Sequence, residues 1–244
     1  MNKIGILLLI LWGVLLCGCD EKRDDKFIKF GTSADYPPFE YYENGKIVGF
    51  EIELAQMIAN ELGKEVSIVD MPFDSILPSI NNGTVDAGIA GFAPTEERKK
   101  NFDFSDSYYH DAYGVVYKKE NPITNKAQMA HTKVGTQLGT TVDIWLKKHV
   151  PSVTGITMSN NNQLIEALKA GHVDCVFIGY AQCISFCEKN QNLKCSLISE
   201  ANEGSCILIK KGSPLKDKLN AAIKSLIEKG KIQELKEKWF KWKK

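Results

Sequence analysis

The feature that most constrains this chain is an internal repeat. The run LPSINNGTVDAGIAG at residues 77–91 returns as IEALKAGHVDCVFIG at residues 165–179. Gly83 and Gly171, Val85 and Val173, Asp86 and Asp174, and Gly91 and Gly179 match, each pair 88 positions apart. Each copy reads as a helix that ends on a glycine, which adopts the left-handed cap conformation without a Cβ clash. A short apolar strand follows and stops at another glycine.

The flanks repeat too. Before the first copy, residues 27–30 and 66–69 are strand-like. Residues 50–62 between them are helical, with Leu54, Ala55, Ile58, Ala59 and Leu62 on one face and Gly63 as the stop. Before the second copy, residues 133–136 and 153–157 are strand-like and residues 141–149 helical. Each unit is therefore β-α-β-α-β, which predicts two similar α/β lobes with mostly parallel sheets. Ligands of such sheets sit outside the carboxyl ends of the strands. That edge holds Ala90-Gly91 in one lobe and Ile178-Gly179 in the other, so two facing edges make a cleft. Residues 111–118 and 205–210 are apolar and β-prone, and are the expected hinge strands. Residues 214–242 read as two helices broken near Gly230. Leu219, Ile223, Leu226 and Ile227 form the stripe of the first, and Ile232, Leu235, Trp239 and Phe240 that of the second. The expected division is residues 26–110 with 207–244 as lobe 1, and 111–206 as lobe 2.

Composition works by exclusion. The chain has 244 residues, 43% hydrophobic and 25% charged, the profile of a globular protein with room for two cores. Lys+Arg number 31 against 30 for Asp+Glu, which leaves no basic footprint for nucleic acid. No nucleophile elbow, phosphate loop or metalloprotease motif is present, so neither an enzyme nor a cofactor is implied. Cys183 and Cys187 lie one helical turn apart, with His172 the nearest histidine. No second tight pair of ligands accompanies them, and no metal site is expected.

The first residues read as a processing signal. Lys3 precedes an apolar run at residues 4–16, too short to span a bilayer and suited to a signal-peptide core. Leu16-Cys17-Gly18-Cys19 resembles the lipobox of bacterial lipoproteins. That resemblance implies removal of residues 1–18 and lipidation of the Cys19 thiol, a palmitate-type anchor. An ordinary secretory signal cut nearby is the alternative. Residues 19–25 are then a charged tether, and two acyl chains hold a protein stably on a membrane face.

Several stretches in combination resemble the family 3 solute-binding proteins of ABC importers, which bind polar amino acids. GTSADYPPFE at residues 31–40 is similar to the family's opening strand and first ligand loop, and NGKIVGFEIELA at residues 44–55 to its hairpin and first helix. GFAPTEERKK at residues 91–100, with FSDSYY at 104–109, is similar to its carboxylate clamp, and GTQLGTT at 135–141 to its second-lobe loop. The resemblance runs from about residue 26 to residue 242. It implies a type II periplasmic-binding fold, two lobes joined by two hinge strands and closing around one ligand. It also implies a monomer working outside the cytoplasm, in the periplasm or at the cell surface, with an ABC permease as partner.

The resemblance assigns roles residue by residue. Arg98 would grip the ligand carboxylate, whose two oxygens suit a planar guanidinium fork. Its place after Thr95 suits a capped helical turn, so backbone N–H groups near Ala93 are further donors, with Gly91 a further ligand-site residue on the same edge. A salt bridge from Arg98 to Glu96, Glu97 or Asp103 is the competing reading. Tyr36 and Phe73 match positions whose rings pack on the ligand side chain, and a ring face suits an aliphatic stem or a guanidinium. Taken alone, Phe73 reads as core. Thr140 and Thr141 match second-lobe residues that hold the carboxylate from the other side, a role compatible with capping a helix. Ser33 matches the position that meets the far end of the ligand, with Gln137 on the same rim. His110 and Asp111 adjoin the hinge and read as structural.

The sequence departs from the family at Gly179. Many members carry an aspartate there, paired with the ligand's α-ammonium. A buried ammonium without a partner is costly, so a backbone carbonyl, the Tyr180 hydroxyl or water must replace it, or the ligand is not a free α-amino acid. The same gap argues against the cyclohexadienyl-type dehydratases of this fold, which place a carboxylic acid at that position. Five cysteines remain beyond Cys19, namely Cys175, Cys183, Cys187, Cys195 and Cys206, and export permits disulfides. Cys187 with Cys195, or Cys175 with Cys206, are plausible pairs, and sequence does not choose between them. The expected function is capture of a polar amino acid for an ABC permease. An arginine-like cation is favoured by the Tyr36–Phe73 pair, and a sensor or adhesion lipoprotein on the same fold is the alternative outside transport.

Overall fold

The computed structural model describes residues 26–201 and 203–240. The expected leader, Cys19 and the tether lie outside the described residues. The chain opens with β1 (Phe27–Thr32), then a small antiparallel sheet of β2 (Asp35–Tyr36), β3 (Glu40–Glu43) and β4 (Lys46–Val48). Asn44 and Gly45 turn between β3 and β4 at φ 51° and 75°, the left-handed pair that a two-residue hairpin demands. Next come α1 (Phe50–Glu61), β5 (Glu65–Asp70), α2 (Phe73–Asn81), β6 (Ala87–Phe92), α3 (Glu96–Asn101) and β7 (Phe102–Phe104). After the first crossing come β8 (Ala112–Lys118), a 3-10 turn at Lys126–Met129, β9 (Lys133–Gln137), α4 (Thr141–His149) and β10 (Thr154–Met158). Then follow α5 (Asn161–Ala170), β11 (Cys175–Gly179), α6 (Tyr180–Lys189) and β12 (Leu193–Glu200). The chain returns through β13 (Cys206–Lys210) to α7 (Leu215–Glu228) and α8 (Lys231–Trp239).

The two repeat units build the same sheet twice. Strand order is β5-β1-β6-β13-β7 in one lobe and β10-β9-β11-β8-β12 in the other. In each, the unit's first strand lies between its second and third, all parallel. The next strand runs against both its neighbours, β13 between β6 and β7, and β8 between β11 and β12. Those reversed strands are the two that carry the chain across. The crossings are tied by Ser205 N–H donating to Tyr109 O at 2.8 Å and Tyr108 N–H to Ser205 O at 3.0 Å.

Local chemistry explains the repeat's glycines. Gly83 and Gly171 both stand at φ 80°, just past the helices they terminate. On α1, Leu54, Ala55, Ile58 and Ala59 are all fully buried against β1, β6 and the C-terminal helices. Burial of each larger aliphatic is worth roughly 1.5–3 kcal/mol. Leu219, Ile223 and Leu226 of α7 and Ile232 and Leu235 of α8 join the same core, while Ile227 is 54% exposed. The stripe on α7 is therefore narrower than its sequence suggested, because Ile227 turns outward in the last turn. Cys175 sits in the lobe 2 core and Cys206 in the lobe 1 core, which rules out their pairing. Among the described residues, no helix is long and apolar enough to cross a membrane, and no cluster of three or more His, Cys, Asp or Glu side chains could hold a metal ion.

Candidate functional site

The sheet edges face each other across a cavity of about 770 Å³, open mouth included. Ser33, Tyr36, Phe73, Gly91, Ala93 and Arg98 line it from lobe 1, and Gln137, Thr140, Thr141 and Gly179 from lobe 2. The structure thus brings all ten sequence-picked residues around one space.

Arg98 is set there by its own helix turn. Thr95 Oγ1 accepts the Arg98 N–H at 3.2 Å, capping α3. The guanidinium, 8% exposed, donates from Nη1 to Ala93 O at 3.1 Å and from Nη2 to Gly139 O of the other lobe at 3.0 Å. It also lies 5.2 Å from the Phe92 ring centre and 5.7 Å from that of Phe73. It forms no ion pair among the described residues. The salt-bridge reading is thereby overturned, since Glu96 and Glu97 pair instead with Lys99 and Lys100, and Asp103 with Lys211. Burial draws its pKa from 12.5 down to about 10, which leaves it charged at neutral pH.

The backbone roles differ from expectation. At Ala93 the carbonyl acts, accepting from Arg98. The Gly91 N–H points away from the cavity to the Glu51 carboxylate, 3.1 Å to each oxygen. Glu51 also accepts the Tyr108 hydroxyl at 2.6 Å and is hydrogen-bonded to Glu40. Burial, then the Glu51 charge, pushes the Glu40 carboxyl well above its usual range, so the pair shares a proton. Thr140 caps α4 by accepting Asp143 N–H at 3.3 Å, and its hydroxyl donates to Gln137 O at 2.8 Å. Thr141 bonds the Tyr113 hydroxyl.

Sequence reasoning missed Asp35. It leaves the lobe 1 loop after β1 and enters lobe 2. Its carboxylate accepts Asn161 N–H at 2.6 Å, Gln137 Nε2 at 3.2 Å and Ser33 Oγ at 3.1 Å. Its carbonyl accepts Gln182 Nε2 at 3.1 Å. Gln137 is thus more than a rim residue. Its amide also donates to Ser159 O and accepts from Asn161 Nδ2. Burial raises the Asp35 pKa and these hydrogen bonds oppose that rise.

The Tyr36 ring stacks on Phe39 at 5.1 Å, while Phe73 stacks on Phe92 at 4.8 Å. The two rings expected to flank a ligand are each backed by a second ring. The Tyr36 hydroxyl reaches across to Gly179. A Cβ on Gly179 would overlap that hydroxyl and lie 2.8 Å from Asp111 Oδ2. Asp111 is a cavity-lining residue, not merely a hinge support. Tyr180 is absent from the lining, and its ring packs over Gly114. The antiparallel pairing of β8 with β11, which sets Tyr113 opposite Gly179, brings Asp111 there. No local sequence signal announces that pairing. Glu40 and Glu203 complete the acidic part of the lining.

Two lobes, two crossings and a cleft lined from both sides define a hinged binding protein for a small solute. The sequence profile of "Bacterial extracellular solute-binding proteins, family 3" matches residues 28–242, and the chain belongs to that family. It is 34% identical over 251 aligned positions to the arginine-binding extracellular protein ArtP of Bacillus subtilis, spanning 98% of each chain. It is 31% identical over 215 positions to the L-cystine-binding protein TcyJ of Escherichia coli, covering 86% of this chain and 81% of that protein. The crystal structure of an ancestral arginine-binding protein bound to arginine superposes with a TM-score of 0.83 at 36% identity, over 88% of this chain and 98% of that one. An ancestral arginine-binding protein bound to glutamine gives 0.85 at 36% identity, over 88% of this chain and 98% of that one.

Proposed function

We propose that the cleft captures an α-amino acid with a cationic, arginine-like side chain and that the closed protein delivers it to an ABC permease. One observation carries the reading. Asp35, Asp111 and Glu203, with Glu40 sharing its proton with Glu51, line a cavity in which Arg98 is the one basic residue among the described residues. A buried guanidinium suits one carboxylate, and a mostly acidic remainder suits a ligand bearing more positive than negative charge. Arginine has that pattern, and the names of several relatives agree.

The ten lining residues picked from the sequence then act in two groups. Arg98, positioned by the Ala93 carbonyl, holds the carboxylate end with Thr140 and Thr141. Tyr36 and Phe73, with Ser33 and Gln137, shape the side-chain end, while Gly91 and Gly179 keep the backbone close. The protein acts as a monomeric carrier without turnover. Its lobes are residues 26–110 with 206–244, and 111–205, one residue from the sequence expectation because Cys206 opens β13 of the first sheet. The Leu16-Cys17-Gly18-Cys19 run supports an anchor on Cys19, holding it at the outer face of a membrane.

Mass spectrometry of the small molecule released from purified, denatured protein, followed by calorimetry with the twenty L-amino acids, tests the assignment. Micromolar or tighter binding of arginine over neutral amino acids is the expected result, and preference for an acidic or neutral amino acid overturns it. Turnover of prephenate or arogenate would overturn the carrier role. Metabolic labelling with an alkyne fatty acid tests the anchor, with loss of label expected in Cys19→Ala.

A further inference from the structure

The resemblance implies an acidic partner for the ligand's α-ammonium at the position of Gly179 in many members. We propose that it has moved to Asp111 on the adjoining strand, where with the Tyr36 hydroxyl it forms the α-ammonium site. The proposal rests on the reading of the ligand as an α-amino acid and names the residue that recognises its amine.

Three observations place it. Asp111 Oδ2 lies 2.8 Å from the point a Cβ on Gly179 would occupy, so the Asp111 carboxylate already fills the space where a side chain at 179 would start. Second, Asp111 and Arg98 line the same cavity. An α-amino acid carries its ammonium and carboxylate on one carbon, so the two binding groups must share one space. Third, Asp111 directly precedes β8, whose Tyr113 is paired with Gly179 in the sheet. The carboxylate is thus supplied from the neighbouring backbone with no change in the shape of the edge.

The second member is Tyr36. Burial, then the Asp111 and Glu40 charges, hold its phenol well above its usual pKa, so it stays protonated. A protonated phenol can accept from an ammonium through its oxygen and donate its own proton at the same time. Glycine at 179 follows from this arrangement. A side chain there would strike the hydroxyl and crowd the carboxylate. Asp111 Oδ1 also accepts Ala181 N–H at 3.3 Å near the start of α6, which orients the carboxylate.

The test compares L-arginine with 5-guanidinopentanoic acid, which keeps the carboxylate and guanidinium and lacks the α-amine. Both are titrated calorimetrically into the full chain, with thermal melts alongside. Wild type is expected to prefer L-arginine by about 100-fold or more. Asp111→Asn, which keeps an acceptor for Ala181 N–H, is expected to lose most of that preference by weakening L-arginine alone. Asp111→Ser serves as a second variant and must behave alike. Equal weakening of both ligands, or an undiminished preference in a folded variant, overturns the proposal. Failure of the wild type to bind any of the twenty amino acids would instead remove the functional reading, and the proposal with it. If the wild type prefers another amino acid, that compound and its deamino analogue replace the pair, with the same outcomes.

Discussion

The carboxylate of Asp35, on one lobe, accepts the backbone N–H of Asn161, the first residue of α5 on the other lobe, at 2.6 Å. A charged acceptor at a helix N-terminus is favoured by the unpaired N–H groups there. The contact exists only when the lobes are together, so it stabilises the closed form. Asp35→Ala removes hydrogen bonds to charge worth about 1.5–3 kcal/mol each. Ligand affinity should fall at least about 10-fold, and small-angle scattering of the ligand-free protein should show a more open mean shape. Wild-type affinity in the variant would refute the closing role.

Arg98 offers a second test. Its two donors to Ala93 O and Gly139 O fix the plane of the fork and use two of the guanidinium's five N–H bonds. Arg98→Lys keeps a charge but loses that plane. We expect affinity to drop by about 100-fold or more in Arg98→Ala and by a smaller factor in Arg98→Lys. Calorimetry that found the two variants equal would remove geometry, as opposed to charge, from the explanation.

Gly179 stands opposite a lobe 1 hydroxyl, the nearest atom a side chain there would meet, so the substitution obstructs closure more than folding, which needs only a small shift of the Asp111 carboxylate. Gly179→Ala should weaken ligand binding at least about 10-fold, as overpacking of a close contact does. The melting temperature of the ligand-free protein should not change. Tyr36→Phe in the same chain removes the overlapping oxygen and should recover part of the loss. Gly179→Asp should weaken binding as well, because the space its side chain would enter is already filled.

The Glu40–Glu51 pair makes stability depend on pH. The folded-state pKa of Glu40 is raised above 4.5 by burial and by Glu51. Its contribution is therefore complete below the unfolded value and is lost as pH rises through the folded one. Thermal melts should fall as pH is raised through and above the ordinary glutamate range. Glu40→Gln, which mimics the protonated acid, should flatten that slope. An unchanged slope would assign the pH dependence to other groups.

Cys187 on α6 and Cys195 on β12 are half-buried free thiols that act on each other's titration, the pair that the sequence had left as one of two options. Exposure to a thiol–disulfide oxidant outside the cytoplasm should join them, with two protons and two electrons passing to the oxidant. Non-reducing peptide mapping of the exported protein should find that link. Cys175, Cys183 and Cys206 are buried and should stay reduced.

The repeat made most of the architecture legible. Matching Gly83 with Gly171 and Gly91 with Gly179 fixed the helix stops and the cleft edge, since each rests on local backbone geometry. The insertion of β8 and β13 into the sheets was not legible in detail. Strands that pair across long separations leave no periodic trace in either segment. The place of Asp111 in the cavity lining was not legible for the same reason, since its distance from Gly179 is set by β8 pairing with β11. Asp35 was hidden differently. It sits two residues from Ser33, but its value comes from Asn161, 126 positions away, which only closure brings near.

The reversed strand β13 lies between β6 and β7, and it comes from the last forty residues of the chain. Lobe 2 is continuous and has all its strands before residue 201. Lobe 1 cannot zip its sheet until the C-terminal stretch emerges, which leaves the facing edges of β6 and β7 bare in the interim. For a chain threaded across a membrane from its N-terminus, this sets an order of assembly. The second lobe can finish first, and the first lobe, where assembly began, finishes last. Unfilled strand edges are sticky. The late-arriving strand is therefore also the point at which a stalled or shortened chain would aggregate.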